Sequence, residues 1–491
     1  MQIRIFISVI LLLTVVQGQI LKKNSFYLNN SEGSADYLLG NGIVDIITKD
    51  GQVWVATGYG VNRTFDAGNT WTAFTSKDYI GKGGVSALGF MDDSTLWIAS
   101  SFDTITSDAG TLPAGGGLSY TRDSGKTWYH VPQPVDDRSE TEYTPNPTVV
   151  QNLTFDIAFL DSTIWITSWG GGLRKSNDMG GNWQVVTTDG IPFNVNQSNP
   201  NWRNHVAFSV MVENGNLWVG TADGISKSSD AGQTWQRFTH QNQESPISGN
   251  FIVALAYQSY SNTIWAATIE ADLDTSEIRA VSKSDDGGAT WQVMLEGTFP
   301  HNFAFDDSIV HVAADEGMFV TNDGGENWFK LPAIRDYQTG EEILSEVFFS
   351  AGVSKEDGYS RFWAGSEDGL ASTIDRGNTW RVYHSFQSTR KSSTPSAYAY
   401  PSPFSPSRHG YIRFQYDITR AGEVNIDIYD FAMDKITTIT EYETAPEGNS
   451  RDRSAKWDGT NDKGIVVASG VYFFRVNVEG KITWGKLIVI N

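Results

Sequence analysis

An all-β chain is predicted by three features of the 491-residue sequence. A short motif returns seven times, as TFDAGNTW, TRDSGKTW, SNDMGGNW, SSDAGQTW, SDDGGATW, TNDGGENW and TIDRGNTW. Ahead of each copy lies a short apolar run, in order QVWVAT, TLWIAS, TIWITS, NLWVGT, TIWAAT, IVHVAA and RFWAGS. Glycine (48 residues) and aromatic residues (13%) are abundant, which suits many short strands joined by tight turns rather than helices.

The motif aspartates are Asp66, Asp123, Asp178, Asp230, Asp286, Asp323 and Asp375, separated by 57, 55, 52, 56, 37 and 52 residues. A period of about 40 to 50 residues is the mark of four-stranded sheets repeated radially, so the expectation for 42–386 is a seven-bladed β-propeller. With strands named A to D from the axis outward, GIVDIIT, VSALGF, FDIAFL and FIVALAY read as A strands. The Trp-bearing runs are B, the run entering each motif is C, and the residues after the motif Trp are D. The motif is then the C–D turn.

The chemistry of the motif fits that place. A tight turn leaves backbone N–H groups without ladder partners, and an Asp, Ser or Thr side chain accepts from them. Glycine supplies a backbone angle that other residues resist, and Trp buries a large apolar face. The seven aspartates are therefore expected to be structural. One carboxylate per turn is too few for calcium, which takes six to eight oxygens, so no metal and no cofactor is expected. With these residues in view the chain resembles the Asp-box, or BNR-repeat, propellers, which include sialidases, xyloglucan-type glycoside hydrolases, sortilin-type receptors and photosystem assembly factors. The resemblance implies a fold and leaves function open.

Residues 1–18 read as a signal peptide, with an apolar run over 5–16 and small residues near Val16-Gln17-Gly18. The run is too short to span a bilayer, which takes roughly 20 residues, and no membrane span is expected. Segment 19–41 precedes the repeats. The absence of cysteine excludes disulfides and thiolate chemistry and suits a bacterial exported protein, secreted or held at the cell surface. A formal net charge of −21 argues against nucleic acid as a partner.

Antiparallel order puts A–B and C–D turns at one end of the ring and B–C and D–A connections at the other. Segments 131–150, 187–206 and 332–347 (D–A) and 101–117 and 269–280 (B–C) exceed ordinary loop lengths, so the end opposite the motif turns is the expected working face. Of 17 tryptophans, seven lie in motifs, six in B strands and two in the C-terminal region, leaving Trp169 and Trp202 without a repeat-based role. Both belong to that face, near Arg203 and His205, and a flat aromatic beside polar groups suits a sugar ring or planar ligand. The competing reading is that each Trp pins its own loop. Acidic residues share the face: Asp103, Asp108, Asp136, Asp137, Glu140, Glu142, Glu270, Asp272, Asp274 and Glu277. Two carboxylates at suitable separation hydrolyse glycosidic bonds. HExxH, GxSxG and phosphate-binding glycine loops are absent, segment 19–41 has no arginine of the kind sialidases carry ahead of their boxes, and xyloglucan-type enzymes use two propellers where one is expected here. No catalytic residue is identified.

Residues 387–397 form a polar Ser/Thr/Pro linker. Over 398–491 the runs YIRFQYDI, EVNIDIYDF, DKITTITEY, GVYFFRVNVEG and ITWGKLIVI predict a small Ig-like β-sandwich. Pro401, Pro403 and Phe404, then Trp457, Asp458, Gly459, Asp462 and Gly464, then Ser469, Gly470, Val471 and Tyr472 resemble the PNPF, WDG and SGVY strings of FlgD-like Ig-type domains and type IX secretion sorting domains, with Ser402 replacing Asn. That resemblance implies export machinery as a partner; a plain accessory sandwich is the other reading. The expected function is non-catalytic recognition of an extracellular glycan or protein on the loop-rich face. A sialidase- or xyloglucanase-like glycoside hydrolase and a structural surface protein are the alternatives.

Overall fold

The structure is a computed structural model describing residues 38–107, 109–140, 145–188, 191–192, 206–271, 276–339, 341–356, 358–385, 396–445 and 452–491. The chain divides into two compact units between Ser385 and Phe386, and the described parts of the two are 38–385 and 396–491. No helix among the described residues is long and apolar enough to cross a membrane.

The first unit contains seven four-stranded antiparallel sheets, each drawn from one contiguous stretch and ordered A-B-C-D. The first runs Ile43–Lys49, Gln52–Thr57, Gly60–Thr64, Thr72–Phe74, and the seventh runs Phe348–Glu356, Tyr359–Ser366, Gly369–Thr373, Arg381–Tyr383. Each A strand lies beside the A strand of the next sheet, and the seventh lies beside the first. Stacking sheet on sheet buries both faces of strand B, which is why these runs are apolar at nearly every position instead of alternating. Trp54, Trp97, Trp165, Trp218, Trp265 and Trp363 of the B strands are each at most 1% exposed. The sixth sheet carries His311 at this place, stacked on Phe362 at 3.8 Å.

Among the described residues, the first and seventh sheets meet without exchanging a strand. Gly352 and Gly365 sit where a Cβ would come within 2.7 Å of Ile46 Cγ2 and 2.6 Å of Ile43 Cγ2. Trp71 meets Trp363 and Tyr383 edge-on, the Tyr383 hydroxyl donates to Ala67 O at 3.1 Å, and Arg381 donates to Asn69 Oδ1 at 2.7 Å.

Two features were not legible beforehand. Every A strand shifts register near its start, leaving one residue out of the ladder: Val44, Ser86, Phe155, Phe208, Val253, His301 and Phe349. Much of segment 101–117, read as a loop, continues strands B and C of the second sheet (Leu96–Thr106 and Gly110–Thr121) as an antiparallel arm.

The second unit packs a three-stranded sheet (Ala397–Tyr400, Ile412–Asp417, Asp452–Trp457) and a four-stranded sheet (Lys435–Glu443, Gly422–Tyr429, Gly470–Val478, Lys481–Val489) about one core of Phe404, Phe414, Tyr416, Trp457, Phe474 and Leu487. The Trp457 indole donates to Thr460 O at 2.8 Å, and Asp458 Oδ1 accepts from Thr460 N at 2.9 Å, so this motif closes a turn. A four-residue helical turn, Pro406–His409, is the unit's only helix among the described residues.

Candidate functional site

The two ends of the first unit differ in how their polar groups are used. At the motif end each aspartate Oδ1 accepts the backbone N–H four residues on, for example Thr70 at 2.8 Å, Thr290 at 2.9 Å and Asn327 at 3.0 Å. The same oxygen accepts the hydroxyl two residues back, as from Thr64, Ser284 and Thr321 at 2.7–2.8 Å. That hydroxyl oxygen in turn accepts a glycine N–H, from Gly68 at 3.0 Å or Gly288 at 2.8 Å. The seven glycines, Gly68, Gly125, Gly180, Gly232, Gly288, Gly325 and Gly377, all adopt φ between 81° and 97°, a region costly for residues bearing a Cβ. Hydrogen bonds from the Thr234 hydroxyl and N–H hold the Asp230 carboxyl down to about 2, and those from Thr290 do the same for Asp286, also to about 2. The Asn327 N–H and side chain hold Asp323 well below the usual carboxylate range. Oδ1 is saturated within the turn, and among the described residues no group of three His, Asp or Glu is placed to hold a metal.

The opposite end is built from loops and the second-sheet arm. Trp169 follows strand B of the third sheet and is partly buried, its ring edge-on to Phe208 of the fourth sheet at 5.7 Å. The Phe208 ring lies tilted against Phe155 at 5.0 Å and Phe251 at 4.5 Å, so aromatics of neighbouring A strands gather with Trp169 in one cluster. Gly170 and Gly171 are required here: a Cβ at Gly171 would lie 2.3 Å from Asn152 Oδ1, and one at Gly170 would lie 2.5 Å from Asn146 Nδ2. Trp202, Arg203 and His205 lie outside the described residues.

Several carboxylates of this face are engaged in holding loops. Asp136 forms a buried ion pair with Arg174 at 2.7 Å and accepts Asn146 N–H at 2.7 Å, tying both ends of segment 131–150 to strand C of the third sheet. Glu270 pairs with Arg279 at 3.2 Å. Buried Glu277 accepts from Ala271 N at 2.8 Å, Asn250 Nδ2 at 2.7 Å and Gln241 Nε2 at 2.9 Å. Asp137 accepts from Ser139 N at 2.8 Å. Asp103 lies on the arm, and Glu140 donates its N–H to Asp137 O at 3.1 Å. Asp108, Glu142, Asp272 and Asp274 lie outside the described residues.

Two acids escaped sequence reasoning. Asp45 and Asp156 follow the bulges of the first and third A strands. Asp45 accepts Ile46 N–H at 2.8 Å and, from the second sheet, Leu88 N–H at 3.2 Å. Asp156 accepts Ile157 N–H and, from the fourth sheet, Val210 N–H, both at 2.8 Å. Each therefore clips one A strand to the next. Burial pushes the Asp45 carboxyl up to about 7, with the Asp156 charge adding to it, and burial pushes Asp156 up to about 6. The signal was present in GIVDIIT and FDIAFL, where one aspartate interrupts an apolar strand.

Among the described residues of the first unit, the three most exposed apolar or aromatic side chains lie at this end, Tyr79 (76%), Ile105 (86%) and Tyr337 (81%), while Tyr260 (67%), Phe65 (54%) and Ile374 (49%) lie at the motif end. Lys82 lies 3.7 Å from the Phe102 ring centroid at the base of the arm.

No family model and no curated protein matches the chain. Among solved structures, an ancestral GH74 enzyme aligns over 93% of this chain and 64% of its own, at 14% identity and a TM-score of 0.51. PorZ, a bacterial surface component of the type-IX secretion system of Porphyromonas gingivalis, aligns over 90% of this chain and 64% of its own, at 15% identity and a TM-score of 0.38. YCF48 from Cyanidioschyzon merolae covers 61% of this chain and 84% of its own, at 14% identity and a TM-score of 0.38. The chain thus spans just under two thirds of the length of PorZ and of the GH74 enzyme. At these identities the likeness speaks to fold alone: the chain is an all-β protein of four-stranded sheets, similar to β-propellers.

Proposed function

We propose that the chain is an exported bacterial surface protein, a seven-bladed Asp-box propeller followed by a FlgD-like Ig-type sandwich, whose loop-rich face recognises an extracellular glycan or protein without catalysis. The observation that carries this reading is the asymmetry between the two ends. The motif turns spend their oxygens on their own backbones, as Asp286 does on Thr290 and Ser284. The far end holds Tyr79, Ile105 and Tyr337 out in water, where exposed apolar groups rimmed by polar ones favour a partner. Trp169, Trp202, Arg203 and His205 are proposed as contact residues, and the seven motif aspartates as structural. Engagement of Asp136, Glu270 and Glu277 with loop partners supports recognition over hydrolysis. Surface localisation and export through the C-terminal unit rest on the sequence strings at 1–18, 401–404, 457–464 and 469–472.

A screen of immobilised glycans and extracellular proteins, scored for both retention and release of reducing ends, tests the reading. Retention without release is expected, weakened by Trp202→Ala with the melting temperature unchanged. Release of reducing ends, or no retention at all, contradicts it.

A further inference from the structure

Among the described residues each A strand pairs with strand B on one edge and with no strand on the other, and these free edges face the axis about which the A strands close. The residue just after each bulge occupies a common ladder place, held by Asp45, Asp156, Ser209, Asn302 and Ser350, with alanine in the second and fifth sheets. From three of these places a side chain reaches the next sheet: Leu88 N donates to Asp45 at 3.2 Å, Val210 N to Asp156 at 2.8 Å and Leu255 N to Ser209 Oγ at 2.9 Å. An N–H that donates there is outside the A–B ladder and so lies on the free edge, and in an antiparallel pair a residue's C=O takes the same side as its N–H. The two carboxylates and the carbonyls of Leu88, Val210 and Leu255 therefore line the axis, and both acids are half-buried.

Neither acid is compensated. Asp45 accepts from Ile46 and Leu88, and Asp156 from Ile157, Val210 and Ser209; among the described residues no cationic side chain pairs with either. The other charged residues of the A strands, Lys49, Glu213, His301, Asp306, Lys355 and Glu356, stand toward the strand ends, where Lys49 pairs with Asp93, His301 with Asp315 and Lys355 with Asp306. Each acid also has an unused hydroxyl at hand. Thr167 stands directly opposite Asp156 on the same face of the third sheet, and Ser350 holds in the seventh sheet the place that Asp45 holds in the first. Both are 0% exposed, and neither hydroxyl has a hydrogen-bond partner among the described residues. A Cβ on Gly365, the ladder partner of Ser350, would lie 2.4 Å from Ser350 Oγ and 2.6 Å from Ile43 Cγ2, so this hydroxyl is on the face that packs against Ile43–Lys49. By the reach seen in the other sheets it falls beside the Ile46 N–H, which Asp45 Oδ1 already takes at 2.8 Å.

We propose that Asp45 and Asp156 hold an oxygen-seeking divalent cation on the axis of the first unit, with the Ser350 and Thr167 hydroxyls and the edge carbonyls serving it or its waters. Enclosed carboxylates are ordinarily paired, neutralised or bound to a metal, and two of them match one divalent charge. The donors are two carboxylates with hydroxyl and main-chain oxygens, a different set from a trio of acids. Such oxygens suit calcium, which takes about six to eight, or magnesium, which takes about six and keeps several waters among them. The cation ties together the innermost strands of sheets that already share the clips Asp45 to Leu88 and Asp156 to Val210. This site is separate from recognition on the loop-rich face, and its failure leaves that reading untouched.

The test strips the full chain with a chelator and titrates it calorimetrically, at mildly alkaline pH, with calcium chloride, magnesium chloride and sodium chloride of matched ionic strength. One site per chain is expected for calcium or magnesium, with a melting temperature that rises as the site fills and does not rise with sodium. Asp45→Asn combined with Asp156→Asn keeps acceptors for the edge N–H groups and abolishes the site. Ser350→Ala weakens it about tenfold, the loss usual for a group that supports a metal ligand. Asp286→Asn, at a motif turn, leaves it unchanged. Binding by the folded double variant equal to the parent's, loss of the site in Asp286→Asn, an equal response to sodium, or no binding of either divalent cation overturns the proposal. Should the double variant fail to fold, Ser350→Ala decides alone, and an affinity unchanged from the parent overturns it.

Discussion

Asp45 and Asp286 are both aspartates that accept backbone N–H groups, yet their surroundings drive them in opposite directions. Asp286 is held down to about 2 by hydrogen bonds from Thr290, so its contribution is present above about pH 4, where the unfolded chain is ionised, and is lost as pH falls toward 2. Asp45 and Asp156, raised to about 7 and about 6, keep their protons in the fold after the unfolded chain has released them. Their contribution weakens the fold progressively as pH rises from about 4 to about 7. Urea midpoints across pH 2–8 are therefore expected to pass through a maximum near pH 4 from these groups. Asp45→Asn combined with Asp156→Asn should flatten the limb between pH 4 and 7, and Asp286→Asn should blunt the acid limb. A limb above pH 4 unchanged by the double substitution would mean that Asp45 and Asp156 do not titrate there. The motif aspartates were legible because their partners lie within four residues. Asp45 and Asp156 were not, because Leu88 and Val210 are 43 and 54 residues away.

At the scale of elements, the B strands were read correctly because burial on both faces makes them continuously apolar, with a Trp in six of seven. The A-strand bulges left no trace in the sequence, since one extra residue in a seven- to nine-residue strand disturbs no visible period. The arm was taken for a loop because SDAGTLPAGG is rich in turn formers, although Leu96–Thr106 pairs along its length with Gly110–Thr121, skipping Gly116. The ion pair Asp136–Arg174 makes an element-scale prediction. Arg174→Ala strands a carboxylate among buried neighbours and should cost about 3–5 kcal/mol, whereas Arg174→Met with Asp136→Leu should recover most of that. Denaturant titration of the single and double variants measures it, and equal loss in both would show that packing of the arginine stem carries the effect.

For the first unit as a whole, the seam between first and seventh sheets is where chain continuity is absent, and among the described residues side-chain packing and side-chain-to-backbone hydrogen bonds hold it. Gly352→Ala drives a methyl group toward Ile46, and Trp71→Ala removes a buried ring facing Trp363 and Tyr383. The latter is expected to cost about 3–5 kcal/mol. Hydrogen exchange in either variant should rise first in Ile43–Lys49 and Phe348–Glu356; uniform loss of protection across all seven sheets would instead mean that the seam is no weaker than the other junctions. That the chain is all-β and built of repeated four-stranded sheets was legible from spacing, whereas the identity of a partner was not, because loops that vary in length carry no period to read. The account's central claim is that recognition belongs to the end away from the motif turns. Its most direct measurement compares partner retention by Trp202→Ala and by Asp286→Asn with the parent chain. The account predicts loss in the first, parent-like retention in the second and no reducing ends released by any of the three; loss confined to Asp286→Asn, or turnover of a retained glycan, would contradict it.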